Sequence, residues 1–240
     1  MYVFWTYVKK GLLTLSILAV SLFISKSKSY ATSSEGPTLP PKGKAETGYE
    51  YNLIYKRSLD RSYGNLKAES HFYTVSLGIF EWLTLDGKIG LGNVRQKGGI
   101  HLPKLEYKLG FAGGYGLRIK LFDYANTKTR IIIGAHHISI HPQDRSIGDD
   151  KYESFLDDWQ VSCLISNRFK LLTPYIGMKL SDCEIVYNIN KHDKKRRYSR
   201  NHIGFICGSD LHLIKDKAKV NVEARFFDEA AFSAKITYLF

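Results

Sequence analysis

The chain has 240 residues and carries 35 Lys or Arg against 23 Asp or Glu, a formal net charge of +12. Tyr (16), Phe (13) and Gly (20) are plentiful and Pro (6) is scarce, which suits strands and argues against a helical bundle or a disordered chain. Cys163, Cys183 and Cys207 are too far apart for a disulfide framework or a zinc site, and no cofactor motif is evident.

Residues 1–31 read as an export signal. Lys9 and Lys10 precede the uncharged run "GLLTLSILAVSLFIS", and "SYA" (Ser29 to Ala31) places small residues where a cleavage site needs them. The apolar run is shorter than the roughly 20 residues of a spanning helix, so cleavage after Ala31 is expected. This segment takes four lysines and no acid with it, leaving 31 basic against 23 acidic residues, a net +8. An exported chain with that excess meets anionic lipid sugars or polyanions, not nucleic acid. Residues 32–44, "TSSEGPTLPPKGK", hold three prolines among Ser, Gly and Lys and read as a flexible N-terminal tail.

From Ala45 onward the residues alternate. "GYEYNLIYK" sets Tyr49, Tyr51, Leu53 and Tyr55 against Glu50, Asn52 and Lys56, and "HFYTVSLGI" sets Tyr73, Val75, Leu77 and Ile79 against Thr74, Ser76 and Gly78. "LTLDGKIGL" contrasts Leu83, Leu85, Ile89 and Leu91 with Asp86 and Lys88. "YKLGFAGGYGLRIKL" keeps a period of two over fifteen residues, with Tyr107, Leu109, Phe111, Tyr115, Leu117, Ile119 and Leu121 on one face and glycines, Lys108, Arg118 and Lys120 on the other. Similar splits recur in "DDWQVSCLI", "KVNVEARF" and "AFSAKITYLF". Ten strands are expected, at 45–57, 68–79, 82–93, 105–121, 129–141, 154–168, 172–188, 199–212, 217–227 and 230–240. The fifth and seventh do not alternate cleanly. Connections alternate between short and long, with 227–230 a tight exception on the long side. Aromatics gather near strand ends, among them Phe80, Trp82, Phe122, Tyr175, Tyr238 and Phe240 towards one rim and Tyr107, Trp159, Tyr187 and Phe226 towards the other.

These features define an all-β chain: a closed antiparallel up-and-down transmembrane β-barrel of about ten strands over residues 45–240, with eight or twelve as alternatives. A soluble lipocalin-like barrel shares the strand period, yet has no need of so many strands of spanning length. The chain resembles the bacterial outer-membrane β-barrel family in its signal, even strand count, alternating loop lengths and the closing Tyr238-Leu239-Phe240. That resemblance implies that Tyr238 and Phe240 form a C-terminal signal read by the barrel-assembly machinery. It also implies a place in the outer membrane of a Gram-negative-type envelope, among lipopolysaccharide.

Fold alone does not supply function. On this register Asp86, Lys88, Lys108, Arg118, Lys120, Lys179, Glu223, Arg225 and Lys235 line the lumen, either as ion pairs that fill it or as a narrow, porin-like, anion-preferring pore. The basic loop residues Lys191, Lys194, Lys195, Arg196, Arg197 and Arg200 are candidates for binding lipopolysaccharide phosphates. A surface-binding or structural role ranks first, a pore second, and an outer-membrane hydrolase or lipid A-modifying enzyme third. For the enzyme, the omptin proteases also have ten strands and use an Asp-x-His. Asp210-Leu211-His212 matches it in sequence, but falls at the short-turn end. His136, His137, His141 and His202 are loose candidates, and no catalytic residue is assigned.

Overall fold

The structure, a computed structural model, describes residues 33–60, 63–97, 104–190 and 194–240; the proposed export signal lies outside them. Ten long strands make up the wall: β1 (Ala45–Ser58), β2 (Asn65–Phe80), β3 (Leu83–Lys97), β4 (Lys108–Tyr124), β5 (Thr129–Gln143), β6 (Asp150–Asn167), β7 (Leu172–Ile189), β8 (Ile203–Leu213), β9 (Ala218–Phe226) and β10 (Glu229–Leu239). Each pairs antiparallel with the next, and β10 pairs with β1 from Glu46↔Leu239 to Arg57↔Glu229, so the sheet closes on itself. The ladder reaches the chain end, where the Phe240 amide donates to the Ala45 carbonyl at 2.8 Å. Closure removes the edges that would otherwise leave backbone groups unpaired in lipid. Three short strands, Leu105–Glu106, Arg145–Ile147 and Lys195–Tyr198, extend the ladders of β3, β6 and β7 at the long-loop end.

The last three strands are the shortest of the ten, at 11, 9 and 11 residues, and β9 and β10 are joined by a tight turn in which Phe227 takes a φ of 77°. Above this hairpin the wall is completed differently. Ser199 bridges Leu59, the Asp60 amide donates to the Tyr198 carbonyl (2.9 Å), and the Arg200 amide donates to the Ser58 carbonyl (2.8 Å). The segment leading into β8 thus crosses over the hairpin to meet the end of β1.

Alternation sorts the side chains, and apolar residues take the outside. Ile89, Phe111, Tyr115, Ile176, Met178 and Ile236 each stay more than half exposed, while their neighbours along the strands are mostly glycine or charged and polar residues such as Lys88, Lys179 and Lys235. A water-soluble barrel has the opposite arrangement, so this exterior is that of a barrel immersed in lipid. Phe80, Trp82, Phe122, Tyr238 and Phe240 are exposed at the short-turn rim. Three other aromatics depart from the expected girdles: Tyr107, Tyr175 and Tyr187 are buried inside. For Tyr107 the cause is local, since the β4–β5 register shifts between Lys108 and Phe111 and breaks the run of alternation there. Tyr187 lies in the stretch of β7 from Ser181 to Tyr187, which is buried throughout and has no exposed face.

The interior is filled at two levels. The long-loop half holds an apolar cluster that includes Ile54, Leu66, Phe72, Val94, Leu105, Ile138, Ile140, Leu156, Ile185 and Tyr187. The short-turn half is polar; residues 33–40 occupy it, and residues 41–44 are exposed at its mouth.

Candidate functional site

Residues 33–44 are not a free tail. Ser33, Ser34 and Glu35 are almost fully buried within the barrel. Their sequence offers little apolar surface, and they are held by polar contacts instead. Glu35 forms ion pairs with Lys88 and Lys235. Ser33 Oγ donates to Glu50 (2.8 Å), and Lys88 also reaches Glu50 at 3.0 Å. The Ser34 amide and hydroxyl donate to Glu223. Arg118 makes the widest set of contacts: its guanidinium donates to both Asp86 oxygens (2.8 and 2.7 Å) and to the carbonyls of Glu35 (3.0 Å), Gly36 (3.0 Å) and Thr38 (3.1 Å). Lys219 bonds the Thr38 carbonyl and pairs with Glu46. Leu39 packs against a small apolar cluster of Ile132, Leu164, Tyr175 and Ile206. Carbonyls and carboxylates of the segment therefore satisfy cations that would be costly to bury alone.

A second ion cluster sits under the β9–β10 turn. Asp228 and Glu229 turn inward; Lys179 pairs with both, and Arg57 reaches Asp158 (3.3 Å), Asp228 (3.6 Å) and Glu229 (3.2 Å). Arg225 bonds Glu229 (2.7 Å), Glu223 (3.1 Å) and the Asn52 side chain (2.6 Å). Small residues make room for these groups. The ring of His136, bonded to Asp86 at 3.3 Å, lies where a side chain on Gly116 or Gly134 would stand.

Of the residues expected to line the lumen, Asp86, Lys88, Arg118, Lys179, Glu223, Arg225 and Lys235 are buried in these two networks. Lys108 is exposed at the long-loop rim. Lys120 is half-buried at the short-turn mouth, paired with Asp123 at 2.9 Å. Glu35, Arg57, Asp158, Asp228 and Glu229 were not among the expected residues. Asp228 lies in a turn and Glu229 at the first position of β10, where a charge normally signals solvent.

In the basic loop, Lys191 lies outside the described residues. Arg196 pairs with Glu184 (3.1 Å), Arg197 stacks on Tyr63 (3.8 Å to the ring centroid), and Lys194 stands over Phe155 (5.8 Å). Arg200 lines an outward depression of about 770 Å³, together with Ser58, Leu59, Asp60, Asn65, Asp182, Tyr198, Ser199 and His202. Within it, His202 Nδ1 faces Asp182 Oδ1 at 3.4 Å, and the same oxygen accepts from Ser199 Oγ at 3.2 Å. The Cys183 amide in turn donates to Ser199 Oγ (3.1 Å). His137 meets Asp157 (3.4 Å) and His141 meets Ser139 (2.9 Å) on the outer surface of the wall. Asp210 and His212 are buried at the short-turn end, bonded to Asn221 and Thr173 respectively.

The fold and the filled interior together describe a membrane-spanning β-barrel with a plugged lumen. No family model matches the chain, and no curated relative matches it either. Among solved structures it is similar to the outer membrane protease OmpT from Escherichia coli (10% identity, 87% of this chain and 100% of that chain, TM-score 0.40). It is also similar to the translocator domain of the autotransporter NalP from Neisseria meningitidis (10%, 98% and 96%, 0.41) and to the outer membrane protein AlkL (11%, 90% and 97%, 0.37). Likeness at this level carries no assignment of role.

Proposed function

We propose that this chain is an exported outer-membrane β-barrel that does not conduct and that works by binding anionic ligands at its long-loop rim. The observation that supports it is the double filling of the lumen, ionic around Glu35 and Arg118 and apolar around Phe72 and Leu66. An anion path needs cationic side chains facing water. Here Lys88, Arg118, Lys179, Arg225 and Lys235 are each turned onto a carboxylate instead. What remains for partners is the rim, where Lys194, Lys195, Arg196 and Arg200 are exposed. Phosphates of lipopolysaccharide are the ligand chemistry that fits such a cluster on the outer face. Tyr238 and Phe240, exposed and in ring contact at 5.1 Å, are the surface offered to the barrel-assembly machinery. The test is binding of the folded protein to immobilised lipopolysaccharide at low and high salt. Wild type is expected to bind in a salt-dependent way, and Lys194→Glu combined with Lys195→Glu and Arg200→Glu to lose most of that binding. Equal binding by the triple variant contradicts the proposal.

A further inference from the structure

The depression around His202 has features that rim binding does not use. It opens outward, at the boundary between the lipid-facing band and the polar rim. Asp182 lies two residues beyond Leu180 on β7, and Leu180 pairs with Ile203, both of them exposed on the apolar exterior. Next to it, the Asn201 side chain donates to the carbonyl of Phe227 (3.1 Å). Phe227 is 73% exposed, with its ring 5.0 Å from that of Phe205. Aromatics at this level mark the interface of a spanning barrel. A membrane amphiphile alongside this stretch would rest its acyl chains on Leu180, Ile203 and Phe205 and place its ester linkages at the height of His202.

The polar groups there form a supported pair. Ser199 and His202 share one oxygen of Asp182, and Ser199 is itself fixed by the Cys183 amide. That carboxylate lies 3.4 Å from Nδ1, so its negative charge faces one ring nitrogen and stabilises the imidazolium that a general base forms. His202 is 56% exposed and lines the depression, so Nε2, across the ring from Asp182, is accessible from it. Arg200 contributes positive charge to the same space.

We propose that this depression is a hydrolytic site for an acyl ester of a membrane amphiphile, with His202 as general base and Asp182 as its positioning residue. His202 Nε2 takes a proton from water as the water oxygen bonds to the ester carbonyl carbon. The tetrahedral oxyanion develops near the charge of Arg200. The carbon–oxygen ester bond then breaks, and the proton passes from His202 to the leaving alkoxide, giving a fatty acid and an alcohol. Ester hydrolysis fits the depth of the site better than phosphate chemistry, because headgroup phosphates lie further out than the acyl linkages. The inference does not depend on rim binding.

The test uses the full-length protein, produced with its own signal and purified folded from membranes. It is mixed separately with phosphatidylglycerol vesicles and with purified lipopolysaccharide, and released fatty acid is measured by mass spectrometry. Wild type is expected to release fatty acid from at least one, and which one identifies the source of the ester. His202→Gln should lower the rate about 100-fold or more, within the range of a lost general base. Asp182→Asn should lower the turnover rate while leaving half-saturation unchanged. Strand content measured on both variants separates loss of chemistry from loss of fold. Folded wild type that releases nothing from either amphiphile overturns the proposal, as does a His202→Gln variant that retains the wild-type rate.

Discussion

Glu35 and Lys235 lie 200 positions apart in sequence and pair inside the barrel, joining the segment before the first strand to the last strand of the wall. The same carboxylate meets Lys88 on β3, so one side chain of the segment ties together opposite ends of the chain. Filling and closure of the barrel are therefore linked. If so, the pair is energetically coupled: Glu35→Gln and Lys235→Met should each destabilise the barrel, while the double variant loses less than the sum, by about 0.5–3 kcal/mol. Urea unfolding in lipid vesicles measures all four corners of that cycle.

Arg118 has the largest expected single effect in the polar half. Arg118→Ala leaves Asp86 without its main partner and frees three carbonyls of the segment from Glu35 to Thr38. Removing one member of a buried ion pair costs about 3–5 kcal/mol. Stability should fall by that amount, read as a lower midpoint in the same urea titration. A loss under about 1 kcal/mol, the worth of an exposed pair, would mean that Arg118 faces water.

The apolar half makes a separate prediction. Phe72 is fully buried in the long-loop cluster and has Lys88 over its ring at 5.3 Å. Phe72→Ala should cost about 3–5 kcal/mol, as for a large aromatic removed from a packed core. A polar, hydrated lumen at this height would tolerate the change.

The exterior can be tested at Ile89, which is 57% exposed near the middle of the wall and lies opposite Gly113 on β4. In lipid, Ile89→Arg should cost about 2–4 kcal/mol, the price of a cation near the bilayer centre. On a soluble barrel an exposed Ile→Arg change stays within about 0.5 kcal/mol. The size of the effect tells the two kinds of barrel apart without reference to any relative.

Much of the wall was legible in the residues. The alternation of Leu83, Leu85, Ile89 and Leu91 against Asp86 and Lys88 could only be satisfied by a strand with two unlike faces, and each of the ten expected strands corresponds to one in the wall. The filling was not legible. Residues 33–44 have the composition of a loop, and much of what holds them is backbone carbonyls bound by Arg118, which leave no mark in side-chain identity. Tyr107 looked lipid-facing because a period of two cannot reveal a shift in register, and Tyr187 because it cannot reveal a stretch of strand buried on both faces. Asp182 sits within "LSDCEIVY", where alternation fails, and that failure was the one available hint that β7 is covered on both sides near His202.

The central claim, that the lumen is closed from within, is tested most directly by conductance. The folded full-length protein is reconstituted into a planar lipid bilayer, and current is recorded in symmetric salt over a range of voltages. Wild type is expected to be silent, and Arg118→Ala, which loosens the segment from Glu35 to Thr38, to show intermittent steps. Sustained conductance by wild type, with a reversal potential that favours anions under a salt gradient, would contradict the account and restore the cationic residues to the lining of a pore.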